Sequence, residues 1–191
     1  MLKAYKYIEF LISLEAIIIS SFIPAFILLP KSIPLFSLLD IPITIQIPTI
    51  IILALTFSRS TLLKAFTAYL LIGILWLPVF YDGGSLGYII TPNFGYLLGI
   101  YPLIFIIKKF KNYEYRSLPR FLIIGLYSLL SMHFVGIIYI TLQLLIYNKL
   151  NLFFYYLGKF TLGRFFYELV TLIPIYLFTR FILLRKRYSN E

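Results

Sequence analysis

The chain has 191 residues, of which 61% are hydrophobic and 13% are charged, and its mean hydropathy is +0.96. This is more apolar surface than one soluble core of this size can bury, so the composition excludes an ordinary soluble domain and indicates an integral membrane protein. The net charge of +10 does not indicate a nucleic-acid reader, because the basic residues lie in short segments between apolar runs rather than on one solvated face.

Six apolar runs follow one another along the chain, each close to the roughly 20 residues that a helix needs to cross about 30 Å of hydrocarbon. We therefore expect an all-α protein with six transmembrane helices in one transmembrane domain, residues 1–191. The first run resembles a signal peptide at its start, but it is too long and Glu9 and Glu15 interrupt it. The expected spans are residues 7–29, 41–57, 61–80, 94–107, 121–147 and 165–184.

Three spans have unusual features. Pro24 in the first span and Pro42 and Pro48 in the second remove backbone donors, which predicts kinked or shortened helices there. The span at residues 94–107 is too short to cross upright. We expect the segment before it to lie at membrane depth, packed inside protein.

The distribution of Lys and Arg predicts the orientation. Four of the 17 basic residues fall on one side of these spans and the rest on the other; the four are Lys31, Lys149, Lys159 and Arg164. By the positive-inside rule both termini are then cytoplasmic, and the glycine-rich loop at residues 81–87 faces outward with the loops at 30–40 and 148–164. The basic tail, residues 185–187, is expected to contact anionic lipid.

Residues 41–99 combine polar side chains and glycines with apolar runs, which predicts a ligand pocket at the membrane edge. They contain three motifs. These are Pro42-Ile43-Thr44-Ile45-Gln46, then Leu77-Pro78-Val79-Phe80 followed by Gly83, Gly84 and Gly87, then Pro92 and Gly95-Tyr96-Leu97-Leu98-Gly99.

In this order and at this spacing, the motifs resemble those of the BioY family, the biotin-specific S components of energy-coupling factor (ECF) transporters. The resemblance implies an S-component-like bundle in the plasma membrane of a bacterium that binds biotin or a similar small carboxylated vitamin. It also implies a partner coupling module of one transmembrane protein and two ATPases. The chain itself has no Walker-type glycine loop, so any energy must come from a partner or a gradient. The ligand-binding residues expected from it are Thr44, Gln46, Asp82, Gly83, Gly84, Asn93, Phe94, Tyr96, Arg164 and Tyr167.

The chain differs from the family pattern at five of these positions. Asp82 stands in a loop that is usually free of acid, and Asn93-Phe94 replaces Thr-Gly. In the family's Pro-Gly-Asp-x-x-Lys segment, Arg164 takes the place of the acid and Tyr167 that of the lysine. The differences leave a second function open, that of a BioY-like structural or accessory subunit of a larger membrane complex.

Four of the candidate residues also have structural interpretations. Asn93 after a proline suits the cap of a helix, and Asp82 before two glycines suits a turn. Gln46 could join two helices through its amide, and Thr44 could bond to the backbone of its own helix. Ligand binding and these structural roles remain alternatives for each residue.

The remaining ionisable residues do not indicate an enzyme, a cofactor or a metal site. Arg164 and Glu168 lie one helical turn apart, so an ion pair between them is the default expectation. His133 is the only histidine, and with no cysteine in the chain and no acid at ligand spacing we expect it in a hydrogen bond. Catalysis needs convergent groups, whereas Glu15, His133 and Glu168 belong to different expected helices.

Overall fold

The computed structural model describes residues 2–30, 36–81, 83–110 and 117–188. Most of these residues are helical, and a helical turn at Phe153–Tyr156 and a π-helical segment at Leu157–Leu162 lead directly into the last helix. The described residues form six helices of 11 residues or more. They are α1 (Leu2–Phe22), α2 (Gln46–Thr56), α3 (Arg59–Leu75), α4 (Pro92–Phe110), α5 (Leu118–Ile146) and α6 (Gly163–Tyr188).

An antiparallel hairpin stands between α1 and α2, so the expectation of an all-α fold is wrong for this segment. Its strands are β1 (Pro24–Pro30) and β2 (Phe36–Thr44), which overlap the expected spans at residues 7–29 and 41–57. Helix α1 stops before Pro24 because proline has no backbone donor and disfavours helix in the preceding residue. A short apolar run cannot be assigned to helix or strand by periodicity alone, which explains the error.

Helix α4 has 19 residues, so the expectation of a span too short to cross upright is wrong. It begins at Pro92 because proline at the first helical position loses no helical hydrogen bond and has a suitable φ. Lys108 and Lys109 stand in its last turn, where cations interact favourably with the helix dipole. Helix α3, in contrast, ends earlier than expected, at Leu75 instead of residue 80.

Two helical stretches in the described residues are long and apolar enough to cross a membrane, judged by length and composition. They are Leu118–Ile146, which is α5, and Leu150–Phe181, which contains most of α6. Helix α2 is apolar but has only 11 residues. The six-span arrangement therefore stays a prediction.

Helices α4 and α5 approach each other closely because glycines stand at their contact. A Cβ atom at Gly99 would overlap the backbone of Met132, and a Cβ atom at Gly136 would overlap the ring of Tyr96. Small residues of this kind permit close backbone approach between helices. The packing places the Tyr96 ring 5.4 Å from the imidazole of His133, measured between ring centroids.

We expect Gly99→Leu to destabilise the protein by about 1–3 kcal/mol or more, because the larger side chain must force α4 and α5 apart. The measurement is the thermal unfolding of the detergent-purified protein. Gly158→Leu is the matched control, since a Cβ atom at Gly158 meets no other atom within 4 Å. Equal unfolding temperatures for the two variants would contradict the close contact.

Candidate ligand-binding site

A cavity of about 380 Å³ lies between α2, α3, α4 and α6. Small-molecule sites usually have about 300–1,000 Å³ and an apolar wall with a few polar groups that orient the ligand. The wall here consists of Thr44, Gln46, Ile47, Tyr69, Tyr81, Tyr88, Asn93, Tyr96, Leu97, Ile100, Met132, Lys159, Phe160, Arg164 and Glu168. Its volume and its mixed chemistry are those of a site for one small organic molecule.

The three charged residues of the cavity wall differ in how deeply they are buried. Lys159 is exposed, Arg164 is half-buried, and Glu168 is only 3% exposed. All three belong to one continuous helical stretch, in which Arg164 and Glu168 are one turn apart. The cavity therefore has positive charge toward solvent and a carboxylate at depth.

Arg164 is held by α4 and by aromatic rings. Its Nη2 donates to Oδ1 of Asn93 at 3.0 Å, and its Cζ lies 5.0 Å from the centroid of the Phe160 ring. Its Nε is buried and has no hydrogen-bond partner among the described residues. The guanidinium is thus fixed in the wall of the cavity, and a fixed guanidinium suits the recognition of a ligand carboxylate.

Glu168 pairs with His133 on α5, with its Oε2 2.8 Å from Nε2 of the imidazole. The hydrogen bond expected for His133 is present. The ion pair expected between Arg164 and Glu168 is not formed, because each side chain turns to a partner on a different helix. The i, i+4 rule considers only residues on the same helix, so it cannot predict a competing partner on another helix.

Gln46 is buried at the start of α2, and its Nε2 has no hydrogen-bond partner among the described residues. The residue lines the cavity. Thr44 is the last residue of β2 rather than part of a helix, and its Oγ1 accepts from the backbone N–H of Gln46, the first residue of α2, at 3.4 Å. The amide of Gln46 therefore lies in the cavity wall beside the hydroxyl of Tyr69, and its Nε2 donates no hydrogen bond of normal geometry to the described residues.

Five of the ten predicted site residues meet in the cavity wall: Thr44, Gln46, Asn93, Tyr96 and Arg164. Asn93 is the second residue of α4 and accepts from Arg164, which favours a role in the cavity over helix capping. The hydroxyl of Tyr96 shares a hydrogen bond of 2.6 Å with that of Thr161, so the aromatic wall is anchored to the segment before α6.

Four of the other five predicted residues lie outside the cavity wall. Phe94 is buried in the core, where its ring packs against those of Tyr88 and Tyr139. Tyr167 is half-buried and is not part of the cavity wall. Asp82 is outside the described residues.

Gly83 and Gly84 serve the turn rather than the cavity wall. Phe80 and Gly83 exchange two backbone hydrogen bonds of 2.9 Å, and Gly83 has a φ of 111°, which L side chains rarely adopt. A Cβ atom at Gly84 would overlap Pro78 and the carbonyl of Gly73. The loop contributes Tyr81 to the cavity instead.

Sequence reasoning missed several lining residues, above all Tyr69, Phe160 and Glu168. Tyr69 and Phe160 come from apolar segments with no motif. Glu168 did have a signal, because an acid inside an apolar helix is costly unless it faces a partner or a cavity. Lys159 was counted only for topology, although it lies one turn before Arg164 on the same stretch.

The sequence profile of the BioY family matches residues 9–180, which is most of the chain. The chain belongs to the BioY family. This confirms the resemblance carried by the motifs in residues 41–99. S components of the BioY family are membrane transport subunits and not enzymes.

The fold of this BioY-family chain is similar to a crystal structure at 2.1 Å of the S-component for biotin from an ECF-type ABC transporter. The two chains are 19% identical, the TM-score is 0.61, and the alignment covers 93% of this chain and 92% of the other. At this identity the similarity establishes a shared fold. A search of curated proteins found no match.

Proposed function

We propose that this chain is a membrane subunit that binds biotin, or a similar small carboxylated vitamin, for uptake into the cell. The observation that carries the proposal is the cavity, where Arg164 and the unpartnered amide of Gln46 stand beside aromatic rings in a BioY-family fold. The similarity to an S-component for biotin supports the same class of ligand. Binding and release of a solute require no chemical step from the protein.

The chemistry of biotin matches that of the cavity wall. Its carboxylate suits Arg164 and Lys159, and its ureido carbonyl suits the amide N–H of Gln46. Its ring and aliphatic tail suit the apolar wall at Leu97 and Ile100. The carboxylate and the ureido carbonyl of the ligand thus each have a protein partner of complementary type.

The membrane arrangement is part of the proposal. Six spans with both termini in the cytoplasm would place the glycine-rich loop and the exposed Lys159 on the outer side, as solute capture requires. With no ATP-binding motif of its own, the subunit would depend on an ECF coupling module of one transmembrane protein and two ATPases. The tail at residues 185–187 would contact anionic lipid.

Isothermal titration of the detergent-purified chain with biotin tests the proposal. We expect one biotin per chain and a rise in unfolding temperature, because a ligand that binds only the folded state adds about 2.7 kcal/mol at 100 times its Kd. Biotin methyl ester, which lacks the carboxylate charge, should bind more weakly. No heat and no thermal shift with biotin would contradict the proposal.

The accessory-subunit hypothesis was based on Phe94, Arg164 and Tyr167, which could fill or disable the pocket. The ring of Phe94 instead packs against Tyr88 and Tyr139 in the core, so this observation no longer favours an accessory role. The two functions predict different behaviour in cells. A transport subunit gives biotin-dependent growth of a transport-deficient strain when the chain is expressed with a coupling module, whereas an accessory subunit co-purifies in fixed ratio with another complex and supports no growth.

A further inference from the structure

The carboxylate of Glu168 is the least exposed charged group in the cavity wall. Its side chain is 4% exposed, and its Oε2 accepts the contact with Nε2 of His133 at 2.8 Å. Its other oxygen, Oε1, makes no hydrogen bond to the described residues. One carboxylate oxygen is therefore held by the protein while the other remains for a ligand.

The cavity also keeps opposite charges apart. Arg164 and Glu168 lie one turn apart on α6, yet Arg164 turns to Asn93 on α4 and Glu168 turns to His133 on α5. An internal ion pair would have cancelled both charges. Because they are not paired with each other, the Arg164 guanidinium and the Glu168 carboxylate both remain in the cavity wall. Glu168 is the more deeply buried of the two.

We propose that Glu168, oriented by His133, accepts hydrogen bonds from N–H groups of the ligand and so determines specificity. The ligand then lies with its N–H-bearing end deep in the cavity and its carboxylate toward Arg164 and Lys159. This inference rests on the proposed function and adds the direction of the ligand and the residue that selects for N–H donors.

The energetics favour a donor at Glu168. A buried carboxylate is costly unless its oxygens receive hydrogen bonds, and His133 supplies a bond to one of them. A urea, amide or amine N–H of the ligand supplies the next bond. Such a site also rejects ligand analogues that lack the N–H group, because the buried Glu168 carboxylate is then left without a hydrogen-bond donor.

His133 has a positioning role, because it is not part of the cavity wall and reaches Glu168 from behind. The rings of Tyr96 and Phe165 stand edge-on to the imidazole, with centroids 5.4 and 5.3 Å away. Its Nδ1 is buried with no hydrogen-bond partner among the described residues, so Nε2 makes the bond that fixes the ring. Loss of this bond would release the carboxylate from its orientation.

The test compares biotin with biotin methylated at both ureido nitrogens, by titration calorimetry of the full chain. We expect Glu168→Gln to weaken biotin binding by about 10- to 100-fold, the loss typical of a hydrogen bond to a charged group, while binding of the methylated analogue changes by less than about threefold. Desthiobiotin keeps both ureido N–H groups and should lose as much affinity as biotin. Glu15→Gln, on the exposed side of α1, is the matched control and should change none of these affinities.

Each outcome has a distinct meaning. Equal losses for biotin and the methylated analogue in Glu168→Gln would overturn the inference and leave the proposed function standing. Failure of the unaltered chain to bind biotin would overturn the proposed function and the inference with it. Selective loss of the ligands with N–H groups supports both.

Variants of His133 test the positioning role separately. His133→Gln retains a side-chain donor and should preserve most of the preference for biotin over the methylated analogue. His133→Leu removes the donor and should reduce that preference, even in preparations whose ligand-free unfolding is cooperative. An unchanged preference in His133→Leu would overturn the role of His133.

Discussion

Replacing Arg164 by Gln is expected to lower the affinity for biotin by about 30-fold or more, because truncation of one partner in a hydrogen-bonded charge pair costs about 2–5 kcal/mol. The guanidinium is fixed by Asn93 and by the ring of Phe160, so little side-chain entropy is lost when a carboxylate binds. Arg164→Lys keeps the charge but cannot form the bidentate hydrogen bonds of a guanidinium to a carboxylate, so we expect an intermediate loss of biotin affinity. Lys159→Gln should cost only a few-fold, since Lys159 is exposed and its charge is screened.

Titration with biotin and with biotinamide, whose tail is uncharged, separates charge recognition from general damage to the cavity. Arg164→Gln should abolish most of the difference between the two ligands. Arg180→Gln is the control on the same helix, where Arg180 donates to the hydroxyl of Tyr176 outside the cavity. If Arg164→Gln weakened both ligands equally, Arg164 would be a structural residue and not the carboxylate site.

The helices were predictable because each one coincides with an apolar run. Their ends were harder to predict, because they depend on individual residues such as proline. The prolines between α1 and α2 indicated an interruption of the helices there, but not whether it is a kink or a hairpin. A kinked helix and a hairpin are both consistent with Pro24 in an apolar segment, and the pairing of β1 with β2 decides between them. Helix α4 was predicted too short because Pro92 was treated as lying before the helix instead of at its first position.

The cavity was predictable to the extent that its residues belong to motifs. Thr44, Gln46, Asn93 and Tyr96 come from segments that the BioY resemblance singled out, and they line one cavity. Gly83 does not line the cavity, and its positive φ serves a turn; in sequence such a glycine looks the same as one that lets a ligand approach closely.

Contacts between helices were beyond the reach of sequence patterns. Arg164 and Glu168 looked like an i, i+4 pair, and the competing partners Asn93 and His133 are 71 and 35 residues away along the chain. Only packing of α6 against α4 and α5 brings them close. The charge separation that distinguishes this cavity is therefore a property of the fold and not of any local segment.

Gln46→Leu is expected to weaken biotin binding by about tenfold, the loss typical of one neutral hydrogen bond, because the amide N–H can no longer bond the ureido carbonyl. Its effect on the ligand-free protein should have the opposite sign. A buried amide donor without a partner costs about 1–3 kcal/mol, and leucine removes that cost at similar volume. The ligand-free variant should therefore unfold at the same temperature as the unaltered chain or at a higher one.

Thermal unfolding with and without biotin measures both effects in one experiment. The chain's other glutamine, Gln143, provides the control: its Nε2 donates to the carbonyl of Ile90 outside the cavity, and Gln143→Leu should leave the biotin-dependent shift unchanged. In Gln46→Leu the shift should shrink while the ligand-free unfolding temperature holds or rises. A lower ligand-free unfolding temperature with an unchanged shift would instead make Gln46 a link between helices, because such a link stabilises the fold without touching the ligand.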